Sequence, residues 1–219
     1  MRHVAGKTVE NAQWKETVMP ALKTETYESK KKWLMEQAYD CFAQQGLHGT
    51  GIRTVAKYAG VNSTVFYTYF KNLDDLIIQS TEYCMQKVEE SFMEIAPKSA
   101  DDIDRFIDEV PEWANEKYCQ KFRLMYQVYT HPKYRDAGLK FFAAMNKRYA
   151  AYAQSIARDT GISADVIRPL VYVFVRACVF YFLFEEKDIL DEQMNFLKQT
   201  VHLYVTLGNV MAKQTTDHK

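Results

Sequence analysis

The chain has 219 residues, and its 28 Lys and Arg balance 28 Asp and Glu to a formal net charge of +0. With 47% hydrophobic and 26% charged residues it can bury a core, which excludes wholesale disorder. Eight Gly and five Pro exclude collagen-like and linker-dominated chains, and they argue against an all-β sandwich, which needs frequent turns.

Residues 1–29 are weakly patterned and their charges cancel. They read as an N-terminal arm, with a short helix from Asn11 to Val18 and a break at Pro20. They contain no apolar h-region, so no signal peptide is expected. From Lys30 the period becomes helical, with Leu34, Ala38, Cys41 and Phe42 in one stripe that Gly46 stops. A second short helix is predicted from Ile52 to Tyr58, stopped by Gly60. A third, from Ser63 to Phe70, is capped by Asn62. Asn72 and Asp75 form a capping box for a longer fourth helix, which runs to about Ile95.

Longer helices follow: Ser99 to Lys117 with a kink at Pro111, Tyr118 to Thr130, Lys133 to Thr160, one capped by Ser163 that ends near Glu186, and a last one capped by Asp188. About nine helices and no strand make an all-α fold. The short, glycine-joined helices set residues 30–76 apart from 77–219. The run Pro169 to Phe184 is apolar but is interrupted by Arg176, and it falls short of the ~20 residues of a spanning helix. Cys41, Cys84, Cys119 and Cys178 are scattered without zinc spacing, and they read as reduced, buried thiols in a cytoplasmic protein.

The segment Gly49 to Leu76 carries the functional signal. Two short helices around the Ala59-Gly60-Val61 turn have the size of a helix-turn-helix, about residues 51–70. Val61, Phe66 and Phe70 are expected to pack inward. Ser63, Thr64, Tyr67, Thr68 and Tyr69 present hydroxyls and phenols suited to phosphates and base edges. Lys71 follows, and Lys30, Lys31 and Lys32 precede the first helix as candidate phosphate anchors. Six basic against four acidic residues in 30–76 is a weak local balance.

This spaced set (Ala38, Phe42, Gly46, Val55-Ala56, Ala59-Gly60-Val61, Val65-Phe66-Tyr67, Tyr69-Phe70, Leu76) resembles the N-terminal domain of the tetracycline-repressor (TetR) family of bacterial transcriptional regulators. The resemblance covers about a fifth of the chain. It implies a three-helix DNA-binding head on a larger ligand-binding and dimerisation domain, with the last two helices forming the homodimer interface. Double-stranded operator DNA and a small-molecule effector are the implied partners. The DNA contacts it implies are Arg53, Ser63, Thr64, Val65, Tyr67, Tyr69 and Lys71, to which Lys31, Thr50, Asn62 and Thr68 are added. Leu73 stands where the family has Lys, and Gly51 where it favours Thr or Ser. These departures motivate the alternative of a TetR-like helical ligand-binding or interaction protein with weakened or lost DNA binding.

Aromatic residues on the later helices suggest a pocket for a flat or apolar effector: Trp113, Phe122, Tyr126, Tyr129, Tyr149 and Tyr172. Arg176 is expected to pair with an acidic residue across the core or across the dimer interface, or to hold an anionic ligand. His48, His131 and His202 are too scattered for a metal site, and no catalytic triad or phosphate-binding glycine loop is visible. Neither an enzyme, a cofactor nor a membrane partner is therefore expected.

Overall fold

A computed structural model describes residues 26–216, with side chains through Leu207. The expected helix at 11–18 lies outside the described residues. Eight α-helices and no strand occur among those described. They are α1 (Tyr27–Gln45), α2 (Ile52–Tyr58), α3 (Ser63–Tyr69), α4 (Leu73–Glu94), α5 (Asp102–Thr130), α6 (Arg135–Thr160), α7 (Ala164–Phe184) and α8 (Lys187–Thr216). A 3-10 turn, Pro132–Tyr134, joins α5 to α6.

Short-range chemistry explains most boundaries. Thr26 caps α1 by accepting from the Ser29 amide, so α1 starts ahead of Lys30 and the three lysines sit inside the helix rather than before it. Asn62 accepts from the Thr64 amide, Asn72 from Asp75 and Ser163 from Asp165, each capping its helix. Gly60 has φ 67°, and around it the Gly60 amide bonds Lys57 O at 3.2 Å and the Val61 amide bonds Ala56 O at 3.0 Å. That paired pattern is the left-handed glycine stop of a helix, and it aims α3 away from α2.

Two expected helices prove to be one. Helix α5 runs unbroken through Pro111 and across Lys117-Tyr118. Pro111 removes a single amide from the ladder, and its buried ring packs in the core. Ile103, Ile107, Val110, Ala114, Tyr118, Phe122 and Met125 keep one apolar face continuous past it. Glu185 ends α7 in the left-handed region at φ 62°. Arg123 holds that end, donating from Nε to Phe182 O at 2.7 Å and from Nη2 to Glu185 at 2.6 Å.

The first three helices bury Leu34, Ala38, Phe42, Val55, Phe66 and Phe70 together, and Leu76 of α4 joins them. Burying a side chain of this size stabilises the head by about 2 kcal/mol each. Helix α1 packs on α4 and α5, which seats the head on the body. There Tyr39 donates to Lys121 O at 2.6 Å, Lys87 pairs with Glu36 and Lys121 with Asp40. Cys41, Cys84 and Cys178 are buried thiols as expected, whereas Cys119 is only half-buried. Burial pushes the Cys84 thiol up to about 12.

Helix α7 spans 21 residues and, by length and composition alone, is apolar enough to cross a membrane. The expected shortfall in length is thus corrected, because the helix starts five residues before Pro169. One side of α7 packs on α5, α6 and α8. Its other side leaves Val173, Phe180 and Phe184 exposed.

Candidate nucleic-acid interface and body cavity

Helix α3 divides sharply by face. Phe66 is 0% exposed and anchors the helix in the core, while Tyr67 is 61% exposed. Thr64, Tyr67 and Thr68 lie at positions i, i+3 and i+4, so they share the outward face. Arg53 and Lys57 on α2 and Lys71 beyond α3 are also exposed, as is the cap residue Asn62. No carboxylate lies on α2 or α3. Asp75 is engaged at the start of α4, where it accepts from the Lys71 amide at 2.9 Å.

Other candidates are placed differently. Ser63, Val65 and Tyr69 are half-buried, and the Tyr69 ring stacks on Tyr27 with centroids 4.6 Å apart. Lys31 is half-buried with its ammonium 5.9 Å from the Phe70 ring centre. Thr50 is buried, and its hydroxyl donates to Gly46 O at 2.7 Å. It closes the α1–α2 turn and does not face outward. Gly51 takes the N-cap position of α2 without a side-chain bond. Leu73 opens α4 and packs on the core, so its side chain is spent on the fold.

The body holds an apolar cavity between α4, α5, α6, α7 and α8, with about 930 Å³ of unfilled space including the part open to solvent. Phe106, Phe122, Phe174 and Phe182 supply aromatic walls, and Tyr149 and Tyr152 the phenols. Glu89 is the one charged residue on its lining. Glu89 is 5% exposed, and Arg148 grips both its oxygens, from Nε at 2.5 Å and Nη2 at 3.2 Å. Burial raises the Glu89 carboxyl above its ordinary value, and the Arg148 contact opposes that rise.

Beside this cavity lies a cleft lined by Tyr126, Phe142, Asn146, Tyr149, Tyr172 and Arg176. Phe122, Tyr149, Val175 and Val179 line both spaces. Four of the sequence candidates (Phe122, Tyr126, Tyr149 and Tyr172) therefore meet here with Arg176. Two do not. Trp113 packs edge-on against Phe92 and Tyr118, beside a separate groove near Pro97. Tyr129 is core, packed on Phe141. The expectation that Arg176 pairs across the core is corrected: within the chain it is exposed and pairs with no carboxylate among the described residues. The turn of α7 carries it past the buried face formed by Phe174, Ala177 and Cys178. Sequence reasoning missed Glu89 and Arg148, since nothing local couples residues 59 apart.

Residues 34–79 match the family model described as bacterial regulatory proteins, tetR family. No curated protein matches the chain at the sequence level. Solved structures share its fold. A TetR transcription regulator from Haloarcula marismortui aligns with TM-score 0.63 at 14% identity, covering 81% of this chain and 99% of that one. The regulator FadR from Bacillus subtilis, in complex with stearoyl-CoA, aligns with TM-score 0.50 at 16% identity, covering 77% and 96%. The multidrug binding protein EbrR, complexed with malachite green, aligns with TM-score 0.53 at 19% identity, covering 78% and 97%.

Proposed function

We propose that this chain, a tetR-family transcriptional regulator by its N-terminal domain and its fold, is a homodimeric, ligand-responsive repressor acting in the cytoplasm. The observation that carries the DNA contact is the outward face of α3, with Tyr67 exposed directly beside a fully buried Phe66. On this reading Thr64, Tyr67 and Thr68 enter the major groove. Arg53, Lys57 and Lys71 take phosphates beside them, and Lys31, Asn62, Ser63, Val65 and Tyr69 frame the contact. The lysine that Leu73 replaces would have given one further phosphate contact, so the salt slope is shallower by about one unit.

The dimer is supported by a stripe on the last two helices. Of the large apolar side chains that stay exposed, Val173, Phe180, Phe184, Ile189, Phe196, Leu203, Tyr204 and Leu207 all lie on α7 and α8. Ile189, Phe196 and Leu203 recur every seven residues, the spacing at which helices seat against each other. A twofold pair built on that stripe sets two heads on successive major grooves, ~34 Å or a multiple apart. Ligand response is supported by the apolar cavity, and by neighbours of the same fold that hold stearoyl-CoA and malachite green. A usual coupling of ~1–3 kcal/mol changes DNA affinity about 5–150-fold.

A gel-shift salt series tests the reading, with DNA selected from a random pool. The expected result is a salt-sensitive shift that Tyr67→Ala weakens without lowering the melting temperature. A shift insensitive to Tyr67→Ala, or no selected sequence at all, overturns it.

A further inference from the structure

We infer that the apolar cavity and the Arg176 cleft form one site for a single-chain amphiphile with an anionic head, its chain held between the helices and its head at Arg176. The inference deepens the ligand-responsive reading and rests on it only for the effect on DNA.

Shape comes first. The cavity lining follows α7 from Ile167 to Phe182, which is ~22 Å of helix at 1.5 Å per residue. Such a lining, apolar along its length, matches an extended chain better than a compact disc.

Charge selects the head. Inside the cavity the Glu89 carboxylate is already gripped through both oxygens by Arg148. A lipophilic cation there has to displace a resident guanidinium, whose bidentate contact is among the stronger side-chain pairings. The adjoining cleft holds Arg176 as its one charged residue. Tyr126 and Tyr149 line the same cleft, and their phenol groups make no hydrogen bond among the described residues. The Tyr172 hydroxyl, by contrast, is spent on Asn146 O at 2.9 Å. One guanidinium and two uncommitted phenols are donors without an acceptor, a set complementary to a carboxylate or a phosphate. The positive charge of Arg176 reaches Tyr126, where it works against the rise that burial imposes on that phenol. Tyr149 borders both spaces, so a chain passing it joins the cleft to the cavity.

The test uses the full chain and four probes of equal chain length, all below their micelle concentrations: palmitate, palmitoyl-coenzyme A, hexadecanol and hexadecyltrimethylammonium. Affinity is read by calorimetry and by thermal shift. Palmitate or its thioester is expected to bind about tenfold tighter than the uncharged alcohol, with the cation weakest. The two anionic arms separate a free acid from a carrier-bound acyl chain. Arg176→Gln removes the anion preference, and Arg176→Lys retains it. Because Arg176 is exposed, neither variant threatens the fold. Equal affinity for acid and alcohol, tightest binding of the cation, or an anion preference that survives Arg176→Gln overturns the proposal. A salt-sensitive DNA shift with no amphiphile binding sinks this inference and leaves the regulator reading standing; amphiphile binding without any DNA shift does the reverse.

Discussion

Tyr134 donates its hydroxyl to Asp74 Oδ1 at 2.7 Å, tying the α5–α6 corner of the body to the first turn of the helix that leaves the head. Lys133 joins the same carboxylate oxygen at 2.7 Å. Burial and the Asp74 carboxylate push the Tyr134 phenol up to about 12, so it stays a neutral donor throughout the working range. Tyr134→Phe deletes one hydrogen bond to a charged acceptor and is expected to cost about 1.5 kcal/mol, read as a urea midpoint shift. If the contact also sets where the head sits, the variant alters DNA affinity without any ligand. An unchanged midpoint refutes the role of the contact.

Asp74 gives that contact a pH signature. Hydrogen bonds from Lys133 first, and from Tyr134 second, hold its carboxyl below the ordinary 3.8. A carboxyl lowered in the folded state stabilises fully above its unfolded value, and the contribution is lost as pH falls through the folded one. The difference in urea midpoint between the natural chain and Asp74→Asn is therefore expected to hold constant above ~pH 5 and to close below 3.8. A difference that widens on acidification contradicts the assignment.

Most capping residues are legible in the sequence because a cap is a local event; Asp188 is the exception, since α8 begins at Lys187 and takes Asp188 into its first turn. Asn62, Asn72 and Ser163 each bond within three residues, and Gly46 and Gly60 adopt the positive φ that glycine takes at little cost. The helix-turn-helix followed from the same signals. Thr50 was misjudged because its hydroxyl can face solvent or the preceding turn, and only the fold of the α1–α2 loop decides. The core pairing expected of Arg176 fails for a related reason: an arginine in an apolar run looks buried until the turn of the helix is set by its neighbours. The Glu89–Arg148 pair depends on how α4 lies against α6, which no short-range pattern encodes.

Gly138 reverses an ordinary rule. Ala replacing Gly inside a helix usually stabilises by about 1 kcal/mol. Here a Cβ meets the Tyr129 Cβ at 2.8 Å and its carbonyl oxygen at 2.9 Å, both on the neighbouring α5. Neither is the tip of a flexible side chain, so the helices must part. Gly138→Ala is expected to lower stability by about 1–3 kcal/mol in urea unfolding, as overpacking does. A stabilised variant shows that α5 and α6 are not this close.

Arg148→Gln leaves the Glu89 carboxylate buried without the guanidinium that makes both of its hydrogen bonds. Removing one member of a buried pair costs about 3–5 kcal/mol, and the partial exposure of Arg148 favours the lower end. Adding Glu89→Gln removes the stranded charge, so the double variant is expected to recover part of the loss. Calorimetric or urea unfolding of the three variants checks the cycle. Additive losses show that the two groups do not interact.

The exposed stripe on α8 makes the dimer testable at one position. Phe196 is 64% exposed, and in the single chain its replacement by a charge costs the fold little. At the centre of a pair, the same charge is buried against its own twofold copy, two like charges in an apolar seam. Phe196→Glu is therefore expected to give a monomer by light scattering at micromolar concentration, with helical content by circular dichroism unchanged. The gel shift then weakens as well, because a lone head reaches one half-site and gives up the second set of phosphate contacts. A variant that stays dimeric and binds DNA as before places the interface elsewhere, and the stripe then needs a different partner.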